Sequence, residues 1–258
     1  MLDFEPDSPR VSRLTASPNH DRRAVARRPD MIILHYTGMP TAEEALERLC
    51  APESKVSSHY FIDELGEIVQ LVPEERRAWH AGVSSWEGAT DINSRSIGVE
   101  IVNPGHEFGY PDFTGAQIEA VIGLCRDVVA RYQIRAKRVL AHSDIAPARK
   151  ADPGEKFPWA RLAEAGVGLW VEPAPIERGP ALSAGDRGEG VFRLQTELSR
   201  YGYGLNVTGL FDAETEAVVT AFQRHFRPAR VDGRADSSVL LTLDRLLAAD
   251  RAARRQGS

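Results

Sequence analysis

The chain contains few cysteines, no long apolar run and no strong excess of charge of either sign. Its 258 residues include only two cysteines, Cys50 and Cys125, too few for the disulfide framework of a small secreted scaffold. Each cysteine falls in a segment predicted to be helical. We therefore expect both to be small buried hydrophobic residues and not metal ligands or partners in a bridge.

The lack of a long apolar run argues against a membrane span. No stretch approaches the ~18 consecutive apolar residues that a transmembrane helix needs. The N-terminal segment also lacks a secretory signal, because the apolar run after its arginines covers only residues 31–34, whereas a signal needs ~7 or more. A cytoplasmic protein is expected, or a periplasmic one if a leader peptide has been removed.

The charge balance gives little indication of a macromolecular partner. A formal net charge of -5 gives no reason to expect a nucleic-acid partner. The composition is that of an ordinary globular protein, and the length suits one large domain or two unequal ones. Neither property indicates an oligomeric state.

Changes in pattern along the chain divide it into four segments. Residues 1–28, rich in Pro, Ser, Arg and Asp, are predicted to form an extended arm over the first domain. Strands interleave with helices over 29–170, which predicts an α/β domain with a mixed central sheet flanked by helices, mixed because 57–72 forms an antiparallel hairpin. A stiff Pro-rich linker at 171–183 precedes three short helices at 184–250.

Three strand-like segments and one loop carry residues that are typical of a metal site. His35 and His142 each end an apolar strand, Glu100 lies inside a third strand, and Asp152 follows in a loop rich in Pro and Gly. Neutral imidazole and carboxylate are ligands of catalytic zinc sites, and a buried glutamate needs a partner. Either histidine could instead be structural, and Asp152 could cap the turn that follows it.

Five segments resemble, in the same order, the zinc-dependent N-acetylmuramoyl-L-alanine amidases of the amidase-2 family. The segments are 33–37, 56–60, 78–82, 96–100 and 142–154. The C-terminal part is similar to the peptidoglycan-binding type 1 module. Its matching residues are Gly185, Gly188, Val191, Leu194, Gln195, Leu198, Gly209, Phe211, Asp212, Thr215, Val218, Phe222 and Gln223.

The resemblance implies a zinc enzyme that acts on peptidoglycan or muropeptides. His35, His142 and Asp152 would hold the zinc ion, Glu100 would be the general base, and Lys150 would stabilise the oxyanion of the tetrahedral intermediate. The scissile bond would be the amide between N-acetylmuramic acid, or its 1,6-anhydro form, and L-alanine of the stem peptide. The expected process is cell-wall turnover or recycling.

Four further residues are candidates for substrate contacts. Arg149 and Asn103 could bind polar groups of the peptide or sugar. Trp86 lies in a polar loop, where it either packs internally or forms a platform for the substrate. His80 is expected to line the cleft, whereas His59 is expected to be a packed strand residue.

Three alternatives remain open at this point. A peptidoglycan receptor on the same fold would bind without hydrolysis, although such relatives usually lack part of the zinc set. A zinc peptidase would cut within the stem peptide. Within the amidases, the missing secretion signal favours soluble anhydro-muropeptides, whereas the C-terminal module favours polymeric or larger wall fragments.

Overall fold

The computed structural model of the chain describes residues 4–24 and 28–256. The parts of the predicted N-terminal arm at 1–3 and 25–27 lie outside the described residues. Over the described ranges, no helix combines the length and apolar character needed to cross a membrane.

Ten strands and seven α-helices make up the described chain. The strands are β1 (Arg13–Leu14), β2 (His20–Arg22), β3 (Met31–Tyr36), β4 (Tyr60–Ile62), β5 (Ile68–Gln70), β6 (Arg76–Ala78), β7 (Ser96–Ile101), β8 (Val139–Ala141), β9 (Ala181–Leu182) and β10 (Ala235–Asp236). The helices are α1 (Ala42–Cys50), α2 (Gly115–Tyr132), α3 (His142–Ile145), α4 (Trp159–Glu164), α5 (Glu189–Tyr201), α6 (Ala213–Phe226) and α7 (Ser237–Gln256).

A six-stranded mixed sheet forms the centre of the N-terminal domain, in the order β1-β5-β4-β7-β3-β8. Strands β4, β7, β3 and β8 run parallel to one another, and β5 returns antiparallel to β4. The predicted mixed sheet is confirmed. Its antiparallel component is the hairpin that the sequence places at 57–72.

Alternation along the strands gives the sheet two different faces. Ile32 and Leu34 of β3 pack with α2 and α4, whereas Met31 and Ile33 point to the opposite face, where they pack with the C-terminal helices. Helix α2 begins with a capping box. The Thr114 hydroxyl accepts the backbone N–H of Gln117, and the Gln117 side chain accepts the backbone N–H of Thr114. Both faces of the sheet are therefore covered.

The N-terminal arm adds two strands instead of lying loosely on the surface. Strand β1 pairs in parallel with β5 and becomes the edge of the central sheet. Strand β2 pairs antiparallel with β6 in a separate two-stranded sheet. The sequence predicted an extended arm but not these pairings, because short polar strands lack a hydrophobic period.

Helices α5, α6 and α7 enclose an apolar core, as the sequence predicts. This core includes Leu194, Leu198, Phe222, Phe226, Leu243 and Leu246, all fully buried. The C-terminal unit also includes β9, which falls within the predicted linker and pairs with β10. Helix α7 continues to Gln256, beyond the predicted end of the domain at residue 250.

The two domains share a single hydrophobic core around Trp86. The indole is 0% exposed and packs edge-on against Tyr201 and Tyr203, with ring centroids 5.7 and 5.1 Å away. A Cβ atom at Gly202 would lie 2.7 Å from the indole, so this close packing requires glycine. Trp86 is therefore an anchor between the domains, and of the two roles that the sequence left open for it, its burial favours internal packing over a substrate platform.

A buried carboxylate joins the domains by hydrogen bonds. Asp144 of α3 accepts from the Tyr203 hydroxyl at 2.7 Å and lies 2.6 Å from Nδ1 of His225. The imidazole of His225 stacks on Trp159, with ring centroids 3.8 Å apart. The C-terminal domain is thus fixed to the helix that follows β8.

A cluster of charged residues supports the same interface. Glu87 pairs with Lys137 at 2.8 Å and with Arg138 at 2.7 Å, and Lys137 also reaches Asp250 of α7. Burial alone would raise the pKa of Glu87, but hydrogen bonds and charge from Lys137 and Arg138 outweigh it and lower the pKa to about 2. The folded state therefore favours the ionised carboxylate.

We expect Glu87→Gln to lower the free energy of unfolding by about 1–2 kcal/mol at pH 7, after allowance for solvent screening of a side chain that is 19% exposed. Because the folded pKa is depressed, this contribution is present above the ordinary value of 4.5 and is lost as pH falls toward about 2. Urea unfolding of both proteins at several pH values measures it. Glu164→Gln, at an exposed position, is the control, and a difference independent of pH would contradict the interpretation.

Candidate metal centre

The register of the parallel strands brings three predicted site residues to one edge of the sheet. His35 on β3 lies opposite Glu100 on β7, and Leu34 lies opposite Ala141 on β8. His142 directly follows Ala141 and His35 directly follows Leu34, so the two histidines lie side by side at the carboxyl ends of these strands. The carboxyl ends of parallel strands are the usual location of sites in such sheets.

His35, His142 and Asp152 form a tight triangle of donor atoms. Nδ1 of His35 lies 2.9 Å from Nδ1 of His142, and the two nitrogens lie 3.1 and 3.0 Å from the same oxygen, Oδ2 of Asp152. The loop that carries Asp152 is closed by a hydrogen bond from the Ser143 N–H to the Asp152 carbonyl. All three side chains are buried.

The electrostatics of the triangle favour metal-binding protonation states. Burial and the neighbouring His142 together lower the pKa of His35 to about 4, although Asp152 opposes both effects. Burial would raise the pKa of Asp152, but the two imidazoles hold it well below its usual range. At neutral pH, His35 is thus an uncharged ligand and Asp152 an ionised one.

The donor set fits a divalent cation. Two imidazole nitrogens and one carboxylate oxygen converge on one point, as in three-ligand zinc sites. A tetrahedral zinc site with bonds of about 2.0–2.2 Å needs ligand atoms roughly 3.3 Å apart, so the triangle would have to open only slightly. In addition, Oε2 of Glu100 is buried and has no hydrogen-bond partner among the residues that the structure describes.

His142 and Asp152 of the triangle line a cleft of about 550 Å³. Glu100 and Lys150 both line this cleft. Burial and the charge of Asp152 raise the pKa of Glu100 well above its ordinary value, and Lys150 opposes this effect. The cleft thus places a carboxyl group with raised proton affinity and a cation next to the three donors.

Comparison with known proteins matches each of the two domains to a family. Residues 25–155 match the N-acetylmuramoyl-L-alanine amidase family, and residues 187–243 match a peptidoglycan binding domain family. The N-acetylmuramoyl-L-alanine amidase AmiD of Escherichia coli K12 is 38% identical over 240 residues, which cover 88% of this chain and 86% of AmiD. The 1,6-anhydro-N-acetylmuramyl-L-alanine amidase AmpD of the same strain is 35% identical over 168 residues, 58% of this chain and 90% of AmpD.

The chain belongs to the N-acetylmuramoyl-L-alanine amidase family. Solved structures agree with this assignment across both domains of the amidase. A complex of E. coli AmiD with a muramyl peptide superposes with a TM-score of 0.74 at 37% identity, covering 88% of this chain and 92% of that one. The structure of AmpDh3 from Pseudomonas aeruginosa gives 0.73 at 31% identity, covering 96% and 98%. The predicted fold and enzyme class are confirmed.

Asn103 does not offer its side chain to the cleft of the amidase. Its side chain is buried, donating from Nδ2 to the Pro111 carbonyl at 2.9 Å and accepting the Gly105 N–H at 2.9 Å. Both polar atoms are used to shape the loop after β7. The sequence-based prediction of a substrate contact at Asn103 is therefore wrong.

Arg149 and His80 line the cleft, but both are committed to internal hydrogen bonds. The guanidinium of Arg149 donates to the carbonyls of Val83 and Ala81. The two ring nitrogens of His80 lie 3.1 Å from His35 and 3.1 Å from Ser96. Their predicted substrate contacts stay predictions, but the structure assigns each a clear internal role.

A wall of the cleft built on His106 was not singled out by the sequence. Its Nδ1 lies 3.0 Å from the Tyr36 hydroxyl, its ring stacks on Tyr110 with centroids 4.2 Å apart, and Nε2 lies 3.2 Å from the Glu155 carboxylate. The sequence feature that could have identified His106 is its position in the Pro- and Gly-rich loop directly after the strand that carries Glu100.

We expect His35→Ala to abolish metal binding, because it removes one of three converging donors. Metal analysis after dialysis against zinc should find about one equivalent in the wild-type protein and almost none in the variant. His106→Ala, which changes a histidine on the wall of the same cleft, should retain the metal. Full occupancy in His35→Ala would exclude the triangle as the metal site.

Proposed function

We propose that this amidase uses a zinc ion to hydrolyse the amide bond between N-acetylmuramic acid, or its 1,6-anhydro form, and L-alanine of peptidoglycan stem peptides. The convergence of His35, His142 and Asp152 beside Glu100 carries the proposal. E. coli AmiD has been solved in complex with its substrate anhydro-N-acetylmuramic acid-L-Ala-D-gamma-Glu-L-Lys. A family relationship across both domains supports the same substrate class here.

The ligand types favour zinc among the common divalent cations. Mg²⁺ and Ca²⁺ prefer sites made entirely of oxygen ligands, whereas two of the three donors here are imidazole nitrogens. When bound, zinc would act as a Lewis acid and lower the pKa of a water molecule to around 7.

Glu100 is the proposed general base. Its carboxylate would accept a proton from the attacking water and later give it to the leaving amino group of L-alanine. A raised pKa suits both transfers, because the group then holds the proton between the two steps. Within the described part of the chain, Oε2 of Glu100 makes no hydrogen bond, so a water molecule does not have to displace a described protein partner.

Lys150 is the proposed stabiliser of the oxyanion. Its ammonium is exposed at the rim of the cleft, and it is close enough to affect the pKa of both His35 and Glu100. Negative charge that develops on the carbonyl oxygen during attack is stabilised by a cation held nearby.

The peptidoglycan-binding domain extends the proposal to larger wall fragments. It shares a core with the catalytic domain through Trp86 and the aromatic residues around it, so a polymer bound to it would lie at a fixed orientation to the cleft. We therefore propose both muropeptides and wall fragments as substrates, with a role in peptidoglycan recycling or turnover. We propose a cytoplasmic location, or a periplasmic one if a leader peptide is removed.

Digestion of intact sacculi and of isolated anhydro-muropeptides side by side tests this function. Mass spectrometry should show free stem peptides that begin with L-alanine and the corresponding peptide-free sugar. Products cut within the stem peptide would instead indicate a peptidase. Binding without any product would indicate a receptor.

We expect Glu100→Gln to retain zinc while its turnover falls by roughly 10²–10⁴-fold, the usual contribution of general acid–base catalysis. Metal analysis and product formation from a muropeptide measure the two properties on the same preparation. Glu107→Gln changes another acid that lines the cleft and should retain turnover. Normal hydrolysis by Glu100→Gln would refute Glu100 as the base.

A further inference from the structure

The dipeptide His80-Ala81 contacts both candidate histidine ligands on the side away from the metal position. Nδ1 of His80 lies 3.1 Å from Nε2 of His35. The carbonyl oxygen of Ala81 lies 3.1 Å from Nε2 of His142. One short segment therefore holds the outer nitrogens of both imidazoles.

The direction of the hydrogen bonds to His80 is fixed by Ser96. The Ser96 hydroxyl lies 2.7 Å from the carbonyl of Ile92, which can only accept, so its single proton is donated there. Nε2 of His80, 3.1 Å from the same hydroxyl oxygen, must then donate its proton to it. Nδ1 of a neutral His80 is left without a proton and can accept from His35.

This order of donors opposes a proton on the metal-facing nitrogens, which the Asp152 carboxylate, 3.1 Å from Nδ1 of His35 and 3.0 Å from Nδ1 of His142, would otherwise attract. His35 donates from Nε2 to His80, so its Nδ1 carries a lone pair toward the triangle. His142 donates from Nε2 to the Ala81 carbonyl, with the same result. If the proton of His80 were on Nδ1 instead of Nε2, the Ser96 hydroxyl would have to donate to His80, and the Ile92 carbonyl would lose its hydrogen bond. His80 would then donate to Nε2 of His35, which would place the proton of His35 on Nδ1, where a metal must bind.

The surroundings of His80 fix both its ring and its backbone. A Cβ atom at Gly98 would lie 2.4 Å from Cγ of His80, so the imidazole lies directly on the backbone of β7 and glycine is required there. The side-chain oxygen of Asn93 accepts the N–H groups of both His80 and Ala81, at 3.1 and 2.8 Å. Neither the ring nor the peptide can shift without losing these contacts.

We propose that His80 and Ser96 are positioning residues that set the tautomer of His35 and thereby preorganise the triangle before a metal binds. This inference rests on the proposed role of His35 as a ligand. Hydrogen-bond partners behind metal-ligating histidines typically contribute 10–100-fold in metal affinity. The readouts are therefore zinc affinity and the tautomer itself, neither of which requires turnover.

Ser96→Ala and His80→Phe should weaken zinc binding by ~10-fold and ~10–100-fold, measured by competition with a chromophoric chelator. His80→Asn keeps an acceptor near the position of Nδ1 and should recover much of the loss seen in His80→Phe. The matched control is Ser58→Ala, which removes the hydroxyl of another fully buried serine, one that donates to the Tyr60 carbonyl. Its zinc affinity should equal that of the wild type.

Nitrogen NMR of the metal-free, ¹⁵N-histidine-labelled protein at pH 7.5 reads the tautomer directly. The wild type should show His35 protonated at Nε2 alone, and Ser96→Ala should show a mixture of tautomers. Thermal melting of the metal-free variants separates this effect from loss of fold, and the His80→Asn and His80→Phe pair serves if Ser96→Ala does not fold.

Wild-type zinc affinity in both Ser96→Ala and His80→Phe, or an unchanged tautomer in Ser96→Ala, would overturn the inference. A protein that shows the expected affinity differences but cleaves no muropeptide would instead contradict only the proposed function.

Discussion

The site depends on three ligand groups held in contact while buried. Two imidazoles and a carboxylate lie 2.9–3.1 Å apart at the edge of the sheet, an arrangement that burial alone would disfavour. The arrangement is stable because the surroundings of each group determine its protonation state. Asp152 is ionised by its neighbours, and the outer nitrogens of His35 and His142 each face a fixed acceptor.

That constraint explains several otherwise separate features of β7. Its alternate residues Ser96, Gly98 and Glu100 lie on the face that carries the site, while the residues between them pack into the core beneath α2. The serine orients His80, the glycine makes room for its ring, and the glutamate reaches the cleft. Because alternate residues of a strand point to the same face, β7 alone provides the residue that orients His80, the glycine that accommodates its ring and the carboxyl group in the cleft.

The sequence was sufficient for the residues whose placement follows from strand register. His35, Glu100 and His142 end or occupy apolar strands, so their meeting at one edge was predictable, and Asp152 followed from the family motif. The sequence was not sufficient for residues whose placement depends on contacts with segments that are far away along the chain. Internal packing and a substrate platform both stayed open for Trp86, because nothing local indicates that Tyr201 and Tyr203 cover it. Strand β1 could not be paired from its own residues.

The contact between the domains also reaches the metal centre. Asp144, which binds Tyr203 and His225 from the C-terminal domain, also accepts the Ala141 N–H at 2.8 Å. His142 lies between these two residues at the start of α3. The C-terminal domain therefore helps to support the turn that carries His142, so the geometry of the candidate metal centre depends on both domains.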